Sequence, residues 1–340
     1  MIIANAMRVL DQARLRRGAD ECDEIGRTVV SRAAAHMGAR FLSVQRTVNN
    51  RNSVCFRVSD NTQTYLLKVN KNIGSQAVRD AALRMNSIAA AGPQDEFRVP
   101  RSHYIDGEFD AALMDFVPGK RLDLMLAQSS DPDTIRMCLK KAAIVLSRIH
   151  ALPHDERLAA DTDLPKLVRE VAGAFPAFSR QNGPHLAQMA NLDAGCSVSI
   201  HGDYSPKNLI LGANGTLFVI DFAAPQDSTS PLRDIAIFAI GMARSLALGR
   251  RWRLGGSARR IEALLETFLD EYFAHSPQVA QHSDVLKKQL VLFELVRLAE
   301  TKVWLDGYRA FDEAIFGWLK SKLGHQFVSS QLRRLQMRIE

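Results

Sequence analysis

Alternation in one part of the chain and three-to-four spacing in another predict two kinds of structure. Val54, Phe56 and Val58 alternate with Cys55 and Arg57, a period of two that predicts a strand. SDNTQ has turn chemistry and TYLLKV beyond it reads as a second strand, so the pair predicts a hairpin. Tyr65, Leu67 and Val69 then share one face of that strand, and Leu66 and Lys68 the other. Residues about 24 to 39 carry a helical pattern that stops at Gly38. A further helix runs through GSQAVRDAALRMNSIAAAG to near Gly92, and AALMDFVPGK predicts an apolar strand ended by Pro-Gly. From residue 133 onward helices dominate. Ile135, Cys138, Ala142, Val145, Leu146 and Ile149 fall at threes and fours and predict one buried face, and SPLRDIAIFAIGMARSLAL begins several more amphipathic segments. The expected class is α+β: a helical extension over 1-40, a strand-rich lobe over 41-118 and a mostly helical lobe over 119-340.

One stretch interrupts the helices. HGDYSPKNLILGANGTLFVIDF, from His201 to Phe222, holds two short apolar runs separated by GANG, whose Asn-Gly is a tight-turn signal, so the runs predict a hairpin. Asn208 precedes the first strand and Asp221 follows the second, which puts both at the open end of that hairpin. Asp203 lies one tight loop upstream, with Pro206 stiffening the loop. An amide oxygen and carboxylates gathered in this way suit a hard cation such as Mg²⁺, which keeps its other positions for water and phosphate oxygens.

Composition narrows the setting. The chain has 340 residues, 46% hydrophobic and 24% charged, enough for a sizeable core. No apolar run is long enough to predict a transmembrane helix, and the opening MIIANAMRVLDQARLRRG lacks the pattern of a secretory signal. Four isolated cysteines (Cys22, Cys55, Cys138 and Cys196) form no CxxC pair and read as free thiols of a reducing cytoplasm. A net charge of +7 would suit an acidic partner without specifying one.

H-G-D-x-x-x-x-N followed by I-D-F resembles the catalytic and metal loops of the aminoglycoside phosphotransferase and choline-kinase-like family, small-molecule kinases with a two-lobed, protein-kinase-like fold. The resemblance covers residues about 40 to 245. It implies that Asp203 accepts or orients the proton of a substrate hydroxyl, and that Asn208 and Asp221 hold Mg²⁺ against the phosphates of ATP or GTP. It implies that His201 shapes the loop and that Asp234, in SPLRDIAIF, braces it. Lys68, in the middle of an apolar strand, needs an anionic partner or a route to solvent. The resemblance assigns it to the α- and β-phosphates and to an acid on the next helix, for which Asp80 fits. Asp115, Phe116 and Val117 match the connector whose backbone meets a purine. The phosphate-covering loop VNNRNSV has no glycine, a departure from the protein-kinase pattern. Ser53 could donate there, Arg51 could meet a phosphate, and Asn49, Asn50 and Asn52 tolerate left-handed turns.

The acceptor is less legible. Arg244, Arg250, Arg251, Arg253, Arg259 and Arg260 around Trp252 could meet a phosphorylated or carboxylated sugar, a lipid head group or nucleic acid. Glu266, Asp270, Glu271, Glu294 and Glu300 are interspersed with lysine and arginine, so no dense acidic site for a polycationic aminoglycoside is expected. The expected partners are a nucleotide and a small-molecule hydroxyl acceptor such as a sugar, glycan or lipid-linked metabolite. Peripheral membrane contact stays open and nucleic acid is not expected. Competing readings are a nucleotide-binding pseudokinase scaffold, an aminoglycoside kinase, and a protein Ser/Thr kinase, which lacks an APE-like segment here. A nucleic-acid binder would show one long basic stripe with regular aromatics, and none is present.

Overall fold

A computed structural model describes residues 17–49, 52–90, 97–153, 163–192, 195–223, 230–248, 258–309 and 315–339. Asn50, Arg51, Gly92, Arg250, Arg251, Trp252 and Arg253, all weighed above, lie outside the described residues. The described chain divides into two compact units: residues 17–120 with 210–223, and residues 121–209 with 230–339.

The first unit is built on a five-stranded antiparallel sheet. Its strands are β1 (Ser43–Asn49), β2 (Ser53–Ser59), β3 (Thr64–Asn70), β5 (Ser102–Asp106) and β6 (Ala111–Asp115), in the order β1-β2-β3-β6-β5. The period-two pattern decides its two faces. Val54, Phe56, Val58, Tyr65, Leu67 and Val69 all point into one core, which α1 (Ala19–Met37) closes with Cys22, Ile25, Val29, Val30 and Ala33. Each large side chain buried there contributes about 1.5–3 kcal/mol. Gly26 lets helix and sheet approach: a Cβ at that position would stand 2.9 Å from the Phe56 ring. Gly38, left-handed at φ 62°, ends α1 by returning its N–H to Ala34 O. The other face of β2 and β3 carries Cys55, Arg57, Leu66 and Lys68.

After β3 the chain enters α2 (Ala77–Ala90), whose first turn is fixed by Asp110. This aspartate is buried, holds φ 50°, accepts the Arg79 N–H at 2.8 Å and takes a second hydrogen bond from Asn70 at 2.6 Å. A second sheet runs in the order β4-β9-β8-β7, with β4 (Phe97–Arg98), β7 (Lys120–Arg121), β8 (Leu209–Leu211) and β9 (Leu217–Val219). The β8–β9 turn closes through Gly212 N–H to Thr216 O at 2.9 Å, with Gly215 left-handed, as its Asn-Gly predicts. This hairpin, from Ile210 on, groups with the strand-rich unit, whereas the sequence reading put it within 119-340. At the Pro-Gly break Gly119 takes φ 156°, and a Cβ there would stand 2.5 Å from Leu211 O.

The second unit is helical: α3 (Leu122–Gln128), α4 (Pro132–His150), α5 (Leu164–Ala174), α6 (Pro176–Ala190), α7 (Pro231–Leu248), α8 (Ala258–Ala274), the single turn α9 (Pro277–Ala280), α10 (Ser283–Arg309) and α11 (Ile315–Ile339). Asp131 caps α4 by accepting the N–H groups of Asp133 and Thr134. The predicted face of α4 is buried in full. α4 packs on α8, and α7 on α10. Phe238 stacks on Phe268 with ring centroids 4.3 Å apart, and Tyr204 joins them. Among the described residues no helix is long and apolar enough to cross a membrane.

Candidate active site

In the helical unit, the loop before β8 is held from beneath by one aspartate. Asp234 stands in the first turn of α7 and is fully buried. Its Oδ2 accepts the His201 N–H at 2.5 Å and its Oδ1 accepts the Gly202 N–H at 2.8 Å. His150, the last residue of α4, reaches the same carboxylate through Nε2 at 3.2 Å, and its Nδ1 meets the Tyr272 hydroxyl at 2.7 Å. Burial by itself would raise the Asp234 carboxyl. The hydrogen bond and field of His150, the field of His201 and the backbone N–H outweigh it, so the pKa lies below its ordinary value. His201 is itself buried, and its Nδ1 accepts the Asp203 N–H at 3.2 Å. Asp234, His201, His150 and Tyr272 are thus linked in one hydrogen-bonded set beneath the loop, and the sequence pattern marks neither His150 nor Tyr272.

What the brace presents is Asp203. Its carboxylate is part-exposed at 31%, beside Lys207 Nζ at 3.1 Å and Arg297 at 3.9 Å. Pro206 opens a 3₁₀ turn, Pro206–Asn208, that packs on α7 where Gly241 leaves room: a Cβ there would stand 2.7 Å from the proline ring. Asn208 is buried, and its amide nitrogen donates to the Asp203 carbonyl at 2.9 Å and to Asp203 Oδ2 at 3.0 Å. With the nitrogen committed twice, the amide oxygen is left as the acceptor end of Asn208. The loop thus supplies one positioned carboxylate and one oriented amide oxygen.

In the strand-rich unit, Asp221 follows β9 with φ 59°, a left-handed backbone that a non-glycine residue adopts at a cost of order 1–3 kcal/mol. Lys68 on β3 meets its Oδ1 at 2.6 Å. Asp221 is thus a carboxylate partner of Lys68. Asp80 lies half-buried in the first turn of α2. From the same helix, Arg84 donates to Ala223 O at 3.2 Å and stands 5.3 Å over the Phe222 ring, so α2 grips the segment that carries Asp221. Cys55, paired with Lys68 across the strands, has its thiol pushed up to about 11 by burial, against the lowering field of Lys68. Ser53 is buried at the start of β2, and its hydroxyl bonds the Cys55 thiol.

The connector candidates lie at the end of β6. The Asp115 N–H goes to Arg101 O at 2.9 Å, and its carboxylate meets the Arg101 N–H at 2.9 Å and His103 Nε2 at 2.6 Å. The Phe116 N–H goes to Thr64 O at 3.3 Å, and Arg57 stands 4.9 Å over the Phe116 ring. Among the described residues the Val117 N–H has no such partner. No group of three His, Cys, Asp or Glu side chains is arranged around a cation among the described residues.

The fold recurs among solved structures. A spectinomycin phosphotransferase in complex with ADP and spectinomycin is 13% identical over 91% of this chain and 98% of its own, with a TM-score of 0.58. A thermostable mutant of an aminoglycoside phosphotransferase, in a ternary complex with AMP-PNP and hygromycin B, is 14% identical over 89% and 99%, with a TM-score of 0.55. Choline kinase from Cryptosporidium parvum Iowa II is 12% identical over 87% and 91%, with a TM-score of 0.54. At these identities the likeness establishes the two-lobed, kinase-like fold. Sequence comparison with curated proteins returns no match. The model of the phosphotransferase enzyme family matches residues 45–282, which include Lys68, Asp203, Asn208, Asp221 and Asp234, and the chain belongs to that family.

Proposed function

We propose that the protein is a Mg²⁺-dependent kinase that moves the γ-phosphate of ATP or GTP to a hydroxyl of a small molecule: a sugar, glycan or lipid-linked metabolite. The observation that carries this reading is Asp203, a part-exposed carboxylate on a loop pinned through two backbone N–H groups to a buried aspartate. Phosphoryl transfer asks a protein for positioning and charge neutralisation, and a rigid loop with one reachable carboxylate suits that demand. The acceptor oxygen attacks the γ-phosphorus, the bond to the β-phosphate bridging oxygen breaks, the nucleoside diphosphate leaves, and Asp203 takes the hydroxyl proton.

Asn208 and Asp221 flank one hairpin in the chain and offer oxygen donors, the chemistry Mg²⁺ prefers, so they are the residues that would hold it. When bound, the metal would neutralise phosphate charge. Lys68, now on Asp221, is the cation for the α- and β-phosphates, and Val117 is the connector residue best able to meet a purine edge. Asp80 and Ser53 keep supporting roles at the phosphate end, and Asp115 and Phe116 shape the connector. The nucleotides in the solved relatives support a nucleotide donor by likeness of fold. The free, isolated cysteines suit a cytoplasmic setting.

The test is turnover with a panel of hydroxyl acceptors, following nucleoside diphosphate release. Asp203→Ala should lower kcat by about 10²–10⁴-fold while leaving nucleotide affinity within about twofold. Full activity in that variant would remove Asp203 from the chemistry.

A further inference from the structure

The helical unit contains a pocket of about 80 Å³ between α5, α7 and α10, enough for several waters or a group the size of a carboxylate or phosphate. Ile237, Phe293 and Val296 give it apolar walls, and its polar lining is Arg233, Arg297 and Glu300. Glu300 is already committed to Arg297 at 2.7 Å. The other nitrogen of the Arg297 fork lies 3.9 Å from Asp203 Oδ1, so the pocket is one guanidinium away from the proposed base. Arg233 is the unbalanced member. Its Nε is buried and has no hydrogen-bond partner among the described residues. A buried donor in this state is costly, and the guanidinium that carries it lines the pocket where an anion would meet it.

The charges around the pocket say which kind of oxygen fits. Two guanidiniums face it and the one carboxylate is paired, so an ammonium group would enter against like charge. Several acids elsewhere in the unit are also paired: Glu271 with Lys140 at 3.1 Å, Asp270 with Lys287 at 3.7 Å, and Glu294 with Arg334 and Arg338. A carboxylate or phosphate would offer Arg233 and Arg297 charge-assisted hydrogen bonds beside the apolar walls.

Resting on the phosphotransferase reading above, we infer that the acceptor carries an anionic group, a carboxylate or a phosphate, which Arg233 and Arg297 hold while its hydroxyl is offered to Asp203. This separates the protein from kinases whose acceptors are amines.

Calorimetric titration of the full chain tests this without requiring turnover. The anionic probes are glycerol 3-phosphate, glycerate, glucose 6-phosphate and glucuronate, set against glycerol, glucose and glucosamine. The expected result is at least tenfold tighter binding of the anionic members. The relative affinity of phosphate and carboxylate forms tells which anion the pocket prefers. Arg233→Gln should weaken the anionic probes by about ten- to hundredfold, with Arg233→Lys recovering part of the loss. Arg297→Gln supplies a second variant if the first does not fold. Glucosamine binding tightest, no binding of any anion, or anion affinity unmoved in both glutamine variants would overturn the inference. Mg²⁺–AMP-PNP titration of the same wild-type sample reports separately on the kinase reading. Nucleotide binding with no anion preference sinks only the acceptor inference, and anion binding without nucleotide binding sinks the kinase reading.

Discussion

Asp234 and Asp221 each lie beside a histidine or lysine, and the two units treat them in opposite ways. Asp234 is wholly buried, and its oxygens meet two backbone N–H groups and the His150 ring. Asp221 is 42% exposed on a left-handed backbone, and its Lys68 partner is 21% exposed. A buried carboxylate so enclosed cannot release a partner without leaving a desolvated charge, so it serves as a fixed support. A part-exposed pair can exchange partners at little cost, because solvent already screens it. On the proposed function, that difference would suit Asp221 and Lys68 to separate onto metal and phosphate, and Asp234 to stay as it is.

The largest effect is expected from Asp234→Ala. It strands three donors at once and should cost about 3–5 kcal/mol in denaturant unfolding, with loss of turnover. A loss below about 1 kcal/mol would make the brace no more structural than the exposed pair. Lys68→Ala should do the reverse. It should change stability by less than about 1 kcal/mol while lowering kcat/KM for the nucleotide about ten- to hundredfold, read from steady-state kinetics. Comparable damage to stability from both variants would erase the distinction.

Acid should sharpen it further. The Asp234 carboxyl is depressed in the folded state, so its contribution is fully present above about pH 4 and is lost as pH falls through the folded value. The stability gap between wild type and Asp234→Asn, measured by denaturant titration, should be constant from pH 7 down to about pH 5 and then narrow. A gap that widens on acidification would reverse the sign of the argument. The smallest effect is expected from Arg84→Ala, which frees the segment carrying Asp221. It should cost about 0.5–1 kcal/mol of stability and weaken Mg²⁺–nucleotide binding a few-fold, measured by thermal unfolding and calorimetry.

The sequence made local periodicity and local chemistry legible. The faces of β2, β3 and α4, the Gly38 stop, the Pro-Gly break and the GANG turn follow from neighbours within a few residues, and the structure has them. Partners that meet only in the folded chain were not legible. His150 and Tyr272 are 122 residues apart, and Arg84 and Ala223 are 139 apart. Helical spacing marked α4 as buried on one face without telling a satisfied histidine from another core position. Lys68 shows the same limit: the resemblance offers Asp80 on the next helix, and a contact with Asp221, 153 residues away, cannot be read from local pattern. Helical periodicity likewise assigned Arg233 no role, because a buried Nε without a partner is a property of packing.

The most direct test of the central claim is calorimetric titration of the full chain with AMP-PNP, with and without Mg²⁺, alongside Asp221→Ala. Saturable binding that requires Mg²⁺ and is lost in the variant is the predicted result. Equal binding with and without the metal, or binding unchanged in Asp221→Ala, would contradict it.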